Sequence, residues 1–382
     1  MSQFKKIFLI SLIIFILISS PVYCEEIYNG EEIERPDTVN YIDLQIIQTG
    51  EIYASGQLEW LKINITVPQS DNFQTVSRKT KTIKDDVGND IAEITIDNPT
   101  TTIIEYSITS NIISRSTQLT SIPTDYTISD ETRKFLESTE NIQSDNTMIS
   151  RLAEEITIGS DSDYEKIAKL AIWVNEYITY DTRYSSETKD ALWVLDNKRG
   201  VCAEYTTLFT ALSRSIGIPA RYTSAYAYGD NGWEKHAYAE VYIGKWISVD
   251  PLWLEIGNID ATHIKYTSQF DNKVINNIGS YGLNLEKLEW SKDDTEFIIN
   301  KIRKEEPIDD YKISATMDKL HPGEEFIVYL EFTGKDYRVL DLSLESCSSQ
   351  NPIIDIVDKS KKVIIEPGVK KIVTWKGSVS DS

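Results

Sequence analysis

Alternation of apolar and polar residues dominates the first third of the chain. Residues 61–67 alternate strictly, which is the period of two expected for a half-buried strand. Residues 91–96 and 102–108 repeat the pattern, and residues 86–89 supply a turn. Short strands separated by turn signals predict a small antiparallel β-sandwich over residues 25–122.

The period becomes helical after Pro123. Residues 163–178 place their apolar side chains on one helical face, and Ser162 with Glu165 forms a capping box at its start. The helix that begins at Cys202 ends before Gly217 and Pro219. Helices are predicted over residues 128–131, 147–156, 163–178, 190–198 and 202–216.

Three strands are expected after the helix that begins at Cys202. They cover residues 220–228, 234–243 and 245–249. The loops between them are too short for a crossover connection, so the strands must be antiparallel. Helices followed by a meander of strands predict an α+β core over residues 123–261.

Two further regions complete the predicted organisation. Residues 262–308 are charged and mixed in pattern, and we expect a helical connector in which residues 287–304 form a helix. Alternation then returns and predicts a C-terminal β-sandwich over residues 309–382. Its strands are expected at residues 326–332, 339–344 and 371–375.

The first 24 residues have the anatomy of a secretory signal. Two lysines precede an apolar run over residues 7–18, which is too short for a typical membrane span. We therefore expect a signal peptide over residues 1–24 and a secreted or cell-surface protein. An uncleaved N-terminal anchor is the alternative. Lipid attachment at Cys24 is not favoured, because residues 21–23 lack the small side chains of such sites.

Charge and motif content narrow the range of partners. The chain has 382 residues and a formal net charge of −21, which disfavours nucleic acids and anionic membrane surfaces. We expect a protein or peptide substrate, and no membrane contact in the mature form unless the signal segment is an uncleaved anchor. The sequence has no cluster with metal-ligand spacing, no calcium loop and no phosphate-binding glycine loop, so no cofactor is expected.

Cys202, His236 and Asp250 together predict an activated thiol nucleophile. A helix N-terminus favours thiolate at Cys202, and a histidine on a nearby strand can accept the thiol proton. An aspartate on the adjacent strand can orient the imidazole. The backbone N–H of Cys202 would be one oxyanion donor, and Tyr180 and Trp193 are both candidates for the second.

Each of these residues also has a structural interpretation. A cysteine in an apolar helix is commonly packed in a core, and Cys202 is able to pair with Cys347 in an oxidising compartment. His263 and His321 compete poorly with His236, since neither has a comparable set of partners in the sequence. The order of the three residues and their placement on helix, strand and strand favour the catalytic interpretation.

Several blocks of this chain resemble the transglutaminase-like superfamily, which includes transglutaminases and related microbial cysteine proteases. They are Gly200-Val201-Cys202-Ala203-Glu204-Tyr205 and residues 212–221, 236–241 and 246–251. The resemblance implies a papain-like α+β fold with Cys202 as nucleophile, His236 as base and Asp250 as the orienting carboxylate. Tyr238 and Leu252 depart from the tryptophan and threonine common in the family, which bears on substrate fit.

The predicted function is that of an exported enzyme. A Cys-His-Asp site would cleave or transfer acyl groups of peptide, isopeptide or glutamine amides. Hydrolysis is favoured, because water is always present whereas amine transfer needs a site that excludes it. The alternative is a cell-surface binding or assembly protein that keeps the fold with an idle thiol.

Overall fold

The computed structural model describes residues 14–16, 25–27, 33, 36–56, 58–99, 102–272, 277–281, 286–304, 311–317, 321–346 and 354–380. The chain forms two compact units, Val22–Glu305 and Met1–Pro21 with Glu306–Ser382, and each has its own apolar core. None of the described helices has both the length and the apolar character needed to cross a membrane.

The described strands far outnumber the helices. The first strands are β1 (Ile14–Ile16), β2 (Glu25–Ile27), β3 (Val39–Ser55), β4 (Trp60–Thr66), β5 (Gln74–Arg78), β6 (Thr82–Lys84), β7 (Asp90–Asp97) and β8 (Ile103–Arg115). The middle of the chain forms α1 (Asp130–Arg133), α2 (Thr147–Thr157), α3 (Asp163–Tyr177), β9 (Thr179–Tyr180), α4 (Ala191–Asn197), β10 (Arg199–Gly200), α5 (Cys202–Ser215), β11 (Ala220–Gly229), β12 (Gly232–Tyr242), β13 (Trp246–Asp250), β14 (Glu255–Ile256) and β15 (Ile264–Gln269). The remainder forms β16 (Asn277–Tyr281), β17 (Lys287–Lys304), β18 (Tyr311–Ala315), β19 (Glu325–Thr333), β20 (Arg338–Ser346), β21 (Ile354–Val357), β22 (Ser360–Ile365) and β23 (Lys370–Val379). Short 3-10 helices cover Pro36–Thr38, Lys134–Leu136 and Thr182–Tyr184.

A β-sandwich forms part of the larger unit, as the alternation predicts. One sheet has the strand order β2-β17-β3-β8-β5, and the other has the order β16-β4-β7-β6. Alternate side chains of β3 and β8 meet those of β4 in a shared apolar core, because a half-buried strand turns every second residue inward. That core includes Ile52, Ile104, Leu61 and Ile63.

Residues 287–304 form a long strand, so the predicted helix and the predicted helical connector are both wrong. β17 pairs antiparallel with β3 along almost its entire length. Its register shifts between Trp290 and Lys292 and again between Ile299 and Lys301. Each shift changes the face to which the following residues point. The apolar residues therefore lose the period of two by which a strand is recognised.

The middle of the larger unit is an α+β core with a cysteine-bearing helix packed on an antiparallel sheet. The sheet has the order β14-β13-β12-β11-β15. α5 lies against β12, where the Thr206 hydroxyl donates a hydrogen bond of 3.0 Å to the carbonyl oxygen of Ala237. The predicted helices and the three-strand meander are confirmed to within about two residues at each end.

A second apolar cluster joins this core to the sandwich. Leu44 and Ile112 of the sandwich pack in one cluster with Tyr228 and Ile264 of the core sheet and with Ile302 of β17. β15, which was predicted to belong to the connector, is therefore an edge strand of the core sheet.

The smaller unit is a second β-sandwich, as predicted. Its sheets have the orders β18-β19-β23-β21 and β1-β20-β22. Phe326, Leu330, Leu342 and Trp375 belong to its apolar core. β1 lies within the predicted signal peptide, which remains a prediction. Cys24 and Cys347 lie outside the described residues.

Candidate active site

Cys202 is the first residue of α5, and the backbone that leads into it is tightly fixed. Glu204 accepts hydrogen bonds from the N–H of Val201 (2.8 Å) and from the N–H of Lys189 (2.9 Å). Burial raises the pKa of this fully enclosed carboxyl. A Cβ at Gly200 would collide with the Glu204 side chain, so only glycine allows this close approach.

A short parallel ladder places Tyr180 beside the start of α5. β9 pairs with β10 so that Tyr180 lies opposite Gly200. Burial, followed by the negative charges of Cys202 and Glu234, raises the pKa of the Tyr180 hydroxyl. Tyr180 is therefore within electrostatic reach of the sulfur, and its side chain is 48% exposed.

Trp193, the other candidate oxyanion donor, packs elsewhere on α4. Its ring centroid lies 5.0 Å from that of Tyr184, and the Lys189 ammonium lies 5.6 Å from its ring centroid. These contacts favour Tyr180 over Trp193 as the side chain nearer to Cys202. The assignment of the second oxyanion donor remains a prediction.

His236 on β12 and Asp250 at the end of β13 are joined by a short hydrogen bond. The distance from His236 Nε2 to Asp250 Oδ2 is 2.6 Å, and both side chains are buried. β12 and β13 are adjacent antiparallel strands, which brings the two side chains within reach of each other. Because the hydrogen bond occupies Nε2, Nδ1 is the nitrogen left for the thiol.

Asp250 receives four hydrogen bonds. Oδ1 accepts from the backbone N–H groups of Leu252 (2.8 Å) and Trp253 (3.1 Å). Oδ2 accepts from His236 and also, at 3.3 Å, from Nε2 of His263. Burial by itself raises the pKa of Asp250, but the charges and hydrogen bonds of the two imidazoles outweigh it and hold that pKa well below its usual range.

His236 is electrostatically coupled to both of its partners. Burial lowers the pKa of His236, but the charges of Asp250 and Cys202 and side-chain hydrogen bonds with both raise it to about 9. Cys202 itself is a free thiol. The imidazolium form of His236 is thus available at neutral pH, where it places a positive charge and a transferable proton beside the sulfur.

His263 belongs to the same group of side chains, so the prediction that it lacks partners is wrong. Besides its contact with Asp250, its Nδ1 lies 3.3 Å from Oδ2 of Asp260 and 3.9 Å from Oε2 of Glu255. Its side chain is 1% exposed. The spacing of three residues between Asp260 and His263 was the only local signal for this pairing. By contrast, His321 is exposed in the smaller unit.

Trp253 and Tyr222 are two further residues near the thiol and imidazole that the sequence patterns did not reveal. Trp253 stacks on the His236 ring with centroids 4.5 Å apart and planes inclined by 11°. Tyr222 is buried on β11, and its pKa is raised by burial and then by the charges of Cys202 and Glu204. Neither residue stands out in a strand or loop pattern, because aromatic side chains are common in both.

Among the residues that the structure describes, two groups of side chains have donor atoms close enough to share an ion. They are His236, Asp250 and His263, and Glu255, Asp260 and His263, with all donor atoms within 4.8 Å of one another. In each group the imidazoles already lie next to carboxylates of opposite charge. Ion pairing accounts for both arrangements, and we assign no metal to either.

The core sheet carries a second buried carboxylate, Glu240. It accepts hydrogen bonds from Nζ of Lys265 at 2.8 and 2.9 Å, from Nε of Arg221 at 2.8 Å and from the hydroxyl of Ser268 at 2.9 Å. Burial by itself raises the pKa of Glu240, but the charges of Lys265 and Arg221 outweigh it and depress that pKa strongly. Glu240 lies on β12, the strand that also carries His236, and Tyr238 lies between the two along that strand.

Comparison with known proteins places these features in a family context. Residues 150–251 match the model of the transglutaminase-like superfamily. The kyphoscoliosis peptidase of Mus musculus is 27% identical over 135 residues, which are 32% of this chain and 20% of that protein. This chain therefore spans about a fifth of the length of that curated relative.

A solved structure shares the fold at low sequence identity. A candidate cysteine protease from Cytophaga hutchinsonii superposes with a TM-score of 0.50 and 18% identity, covering 70% of this chain and 98% of that one. The periplasmic domain of TgpA from Pseudomonas aeruginosa, bound to ethylmercury, has a TM-score of 0.33 and 15% identity, covering 58% and 92%. The similarity to the Cytophaga hutchinsonii protein is a similarity of fold.

Proposed function

We propose that this chain, whose residues 150–251 are a transglutaminase-like domain, is a cysteine enzyme that cleaves or transfers acyl groups through Cys202, His236 and Asp250. The observation that carries the proposal is the pairing of His236 with buried Asp250 and its electrostatic interaction with Cys202. Cys202 begins a helix, and its charge contributes to the raised pKa of His236. The far nitrogen of that imidazole lies 2.6 Å from a buried carboxylate.

The first half of the reaction forms a thioester. The thiolate of Cys202 attacks the carbonyl carbon of an amide, and negative charge develops on the carbonyl oxygen near the backbone N–H of Cys202. The imidazolium of His236 donates its proton to the leaving nitrogen as the C–N bond breaks. Asp250 keeps the ring oriented while its charge changes.

The second half releases the acyl group. His236 accepts a proton from water as the water oxygen attacks the thioester carbon. The C–S bond then breaks, giving a carboxylic acid and restoring the thiolate. A primary amine in place of water would give a new amide. We favour hydrolysis, because Tyr180 and Trp253 are 48% and 38% exposed and amine transfer needs a site that excludes water.

We further propose that the protein works outside the cytoplasmic membrane on protein or peptide substrates. The apolar N-terminal run supports export. The net charge of −21 disfavours nucleic acids and anionic membrane surfaces as partners.

The thiol–imidazole pair can be tested without knowing the substrate. We expect iodoacetamide to alkylate Cys202 rapidly near neutral pH, and His236→Ala to slow that alkylation by about tenfold or more. His321→Ala, which removes an exposed histidine, is the matched control and should leave the rate unchanged. Slow labelling that is equal in the wild type and His236→Ala would instead support a binding protein with an idle thiol.

Peptide libraries with and without a labelled primary amine separate hydrolysis from transfer. Hydrolysis predicts cleaved peptides or glutamine converted to glutamate, both absent with Cys202→Ala. Incorporation of the amine without cleavage would reverse the preference. Identical product profiles for the wild type and Cys202→Ala would rule out the enzyme.

A further inference from the structure

One oxygen of Asp250 is shared by two imidazoles. Oδ2 lies 2.6 Å from Nε2 of His236 and 3.3 Å from Nε2 of His263. The two ring centroids are 5.4 Å apart with planes inclined by 73°. The mechanism above uses His236 and leaves the buried His263 without a role.

Carboxylates surround the ring of His263. Asp250 lies at Nε2, and Asp260 and Glu255 lie 3.3 and 3.9 Å from Nδ1. The other titratable groups against the ring are His236 and Tyr238 on β12, the latter with ring centroids 5.7 Å apart. Asp250 and Asp260 favour the charged form of this enclosed imidazole, because a buried negative charge needs a nearby cation. Glu255 adds less negative charge, because burial and the charge of Asp260 raise its pKa.

We propose that His263 is a positioning residue, a buried imidazolium that anchors Asp250 and moderates the positive charge of His236. This inference rests on the proposed function and deepens it. Asp250 attracts a proton onto His236, whereas a cation at His263 repels one. The two neighbours therefore oppose each other in setting how readily His236 releases its proton.

The sign of each effect follows from charge. Without His263, the carboxylate of Asp250 interacts with His236 alone. The pKa of His236 should therefore rise by about one unit. Removal of the Asp250 charge leaves a buried imidazole beside a cation, so the pKa of His236 should fall. A purely structural role for His263 would alter stability without moving the titration of His236.

The chain has three histidines, so NMR titration of the imidazole signals can follow each one. His321→Gln identifies the exposed histidine and serves as the matched control, and Cys202→Ser identifies His236 by moving its signal. We expect His263 to be protonated across the neutral range in the wild type. We expect His263→Gln to raise the pKa of His236 and Asp250→Asn to lower it.

Two results would overturn the inference. One is a folded His263→Gln protein in which the pKa of His236 is unchanged or lowered. The other is a neutral His263 at pH 7 in the wild type, which needs no variant and so decides the matter even if His263→Gln does not fold. Because these titrations need no substrate, a protein with the expected shifts but no amidase or transferase activity would refute the proposed function alone.

Discussion

Glu240 and Asp250 are both buried carboxylates on the core sheet, and the difference between them lies in their partners. Glu240 is paired with lysine and arginine, which keep their charge throughout the physiological pH range. Asp250 is paired with two histidines, which can lose theirs. The first cluster is therefore fixed in charge, whereas the second can accept and release protons next to a thiol.

The largest expected effect distinguishes the two clusters by reactivity. We expect Asp250→Asn to lower kcat/KM by about 10²- to 10³-fold, because loss of the carboxylate charge destabilises the imidazolium of His236 that donates the proton. Glu240→Gln should leave the activity per folded molecule nearly unchanged. The measurement is kcat/KM on a substrate from the library, with the folded fraction checked by circular dichroism. Full activity in folded Asp250→Asn would contradict the assigned role.

The next effect distinguishes the clusters by stability. We expect Glu240→Gln to lower the free energy of unfolding by about 3–5 kcal/mol, because it leaves buried Lys265 and half-buried Arg221 without the carboxylate they share. Urea unfolding gives this quantity. Glu331→Gln, which loses an exposed pairing with Lys370, is the matched control and should change stability little. Equal losses of unfolding free energy in the two variants would show that the Glu240 cluster stabilises the fold no more than an exposed ion pair does.

The smallest expected effect is that the two clusters lose their contributions to stability at opposite ends of the pH range. The folded pKa of His236 is raised from 6.5 to about 9, so its contribution is fully present below pH 6.5 and is lost as the pH rises through about 9. That contribution is at most about 3 kcal/mol. The pKa of Glu240 is lowered from 4.5, so its contribution is present above that value and is lost on acidification.

Unfolding measured across pH checks this separation with two variants. His236→Gln should reduce the alkaline loss of stability, to which His263 also contributes, and leave much of the acid loss, to which Glu240 and Asp250 both contribute. Glu240→Gln should reduce the acid loss and leave the alkaline one. An alkaline loss of unchanged size in His236→Gln would show that His236 does not contribute to it.

The sequence led to the proposed triad because each of its residues lies in a segment with a clear local pattern. Cys202 follows a glycine at a helix start, and His236 and Asp250 lie on strands separated by one short turn. His263 was missed because its position is set by the loops after β13 and β14, which have no periodic pattern. β17 was assigned to the wrong class because register shifts interrupt its alternation.

The pairing of β17 with β3 also bears on how the protein is made. Val39 pairs with Lys304 and Ser55 with Lys287, and the whole α+β core is synthesised between these partners. A nascent chain therefore exposes one edge of β3 until the ribosome has passed the core, and such long-range pairings form slowly. Chains that stop after residue 286 would lack this pairing, so premature termination should yield aggregation-prone products rather than a free α+β core.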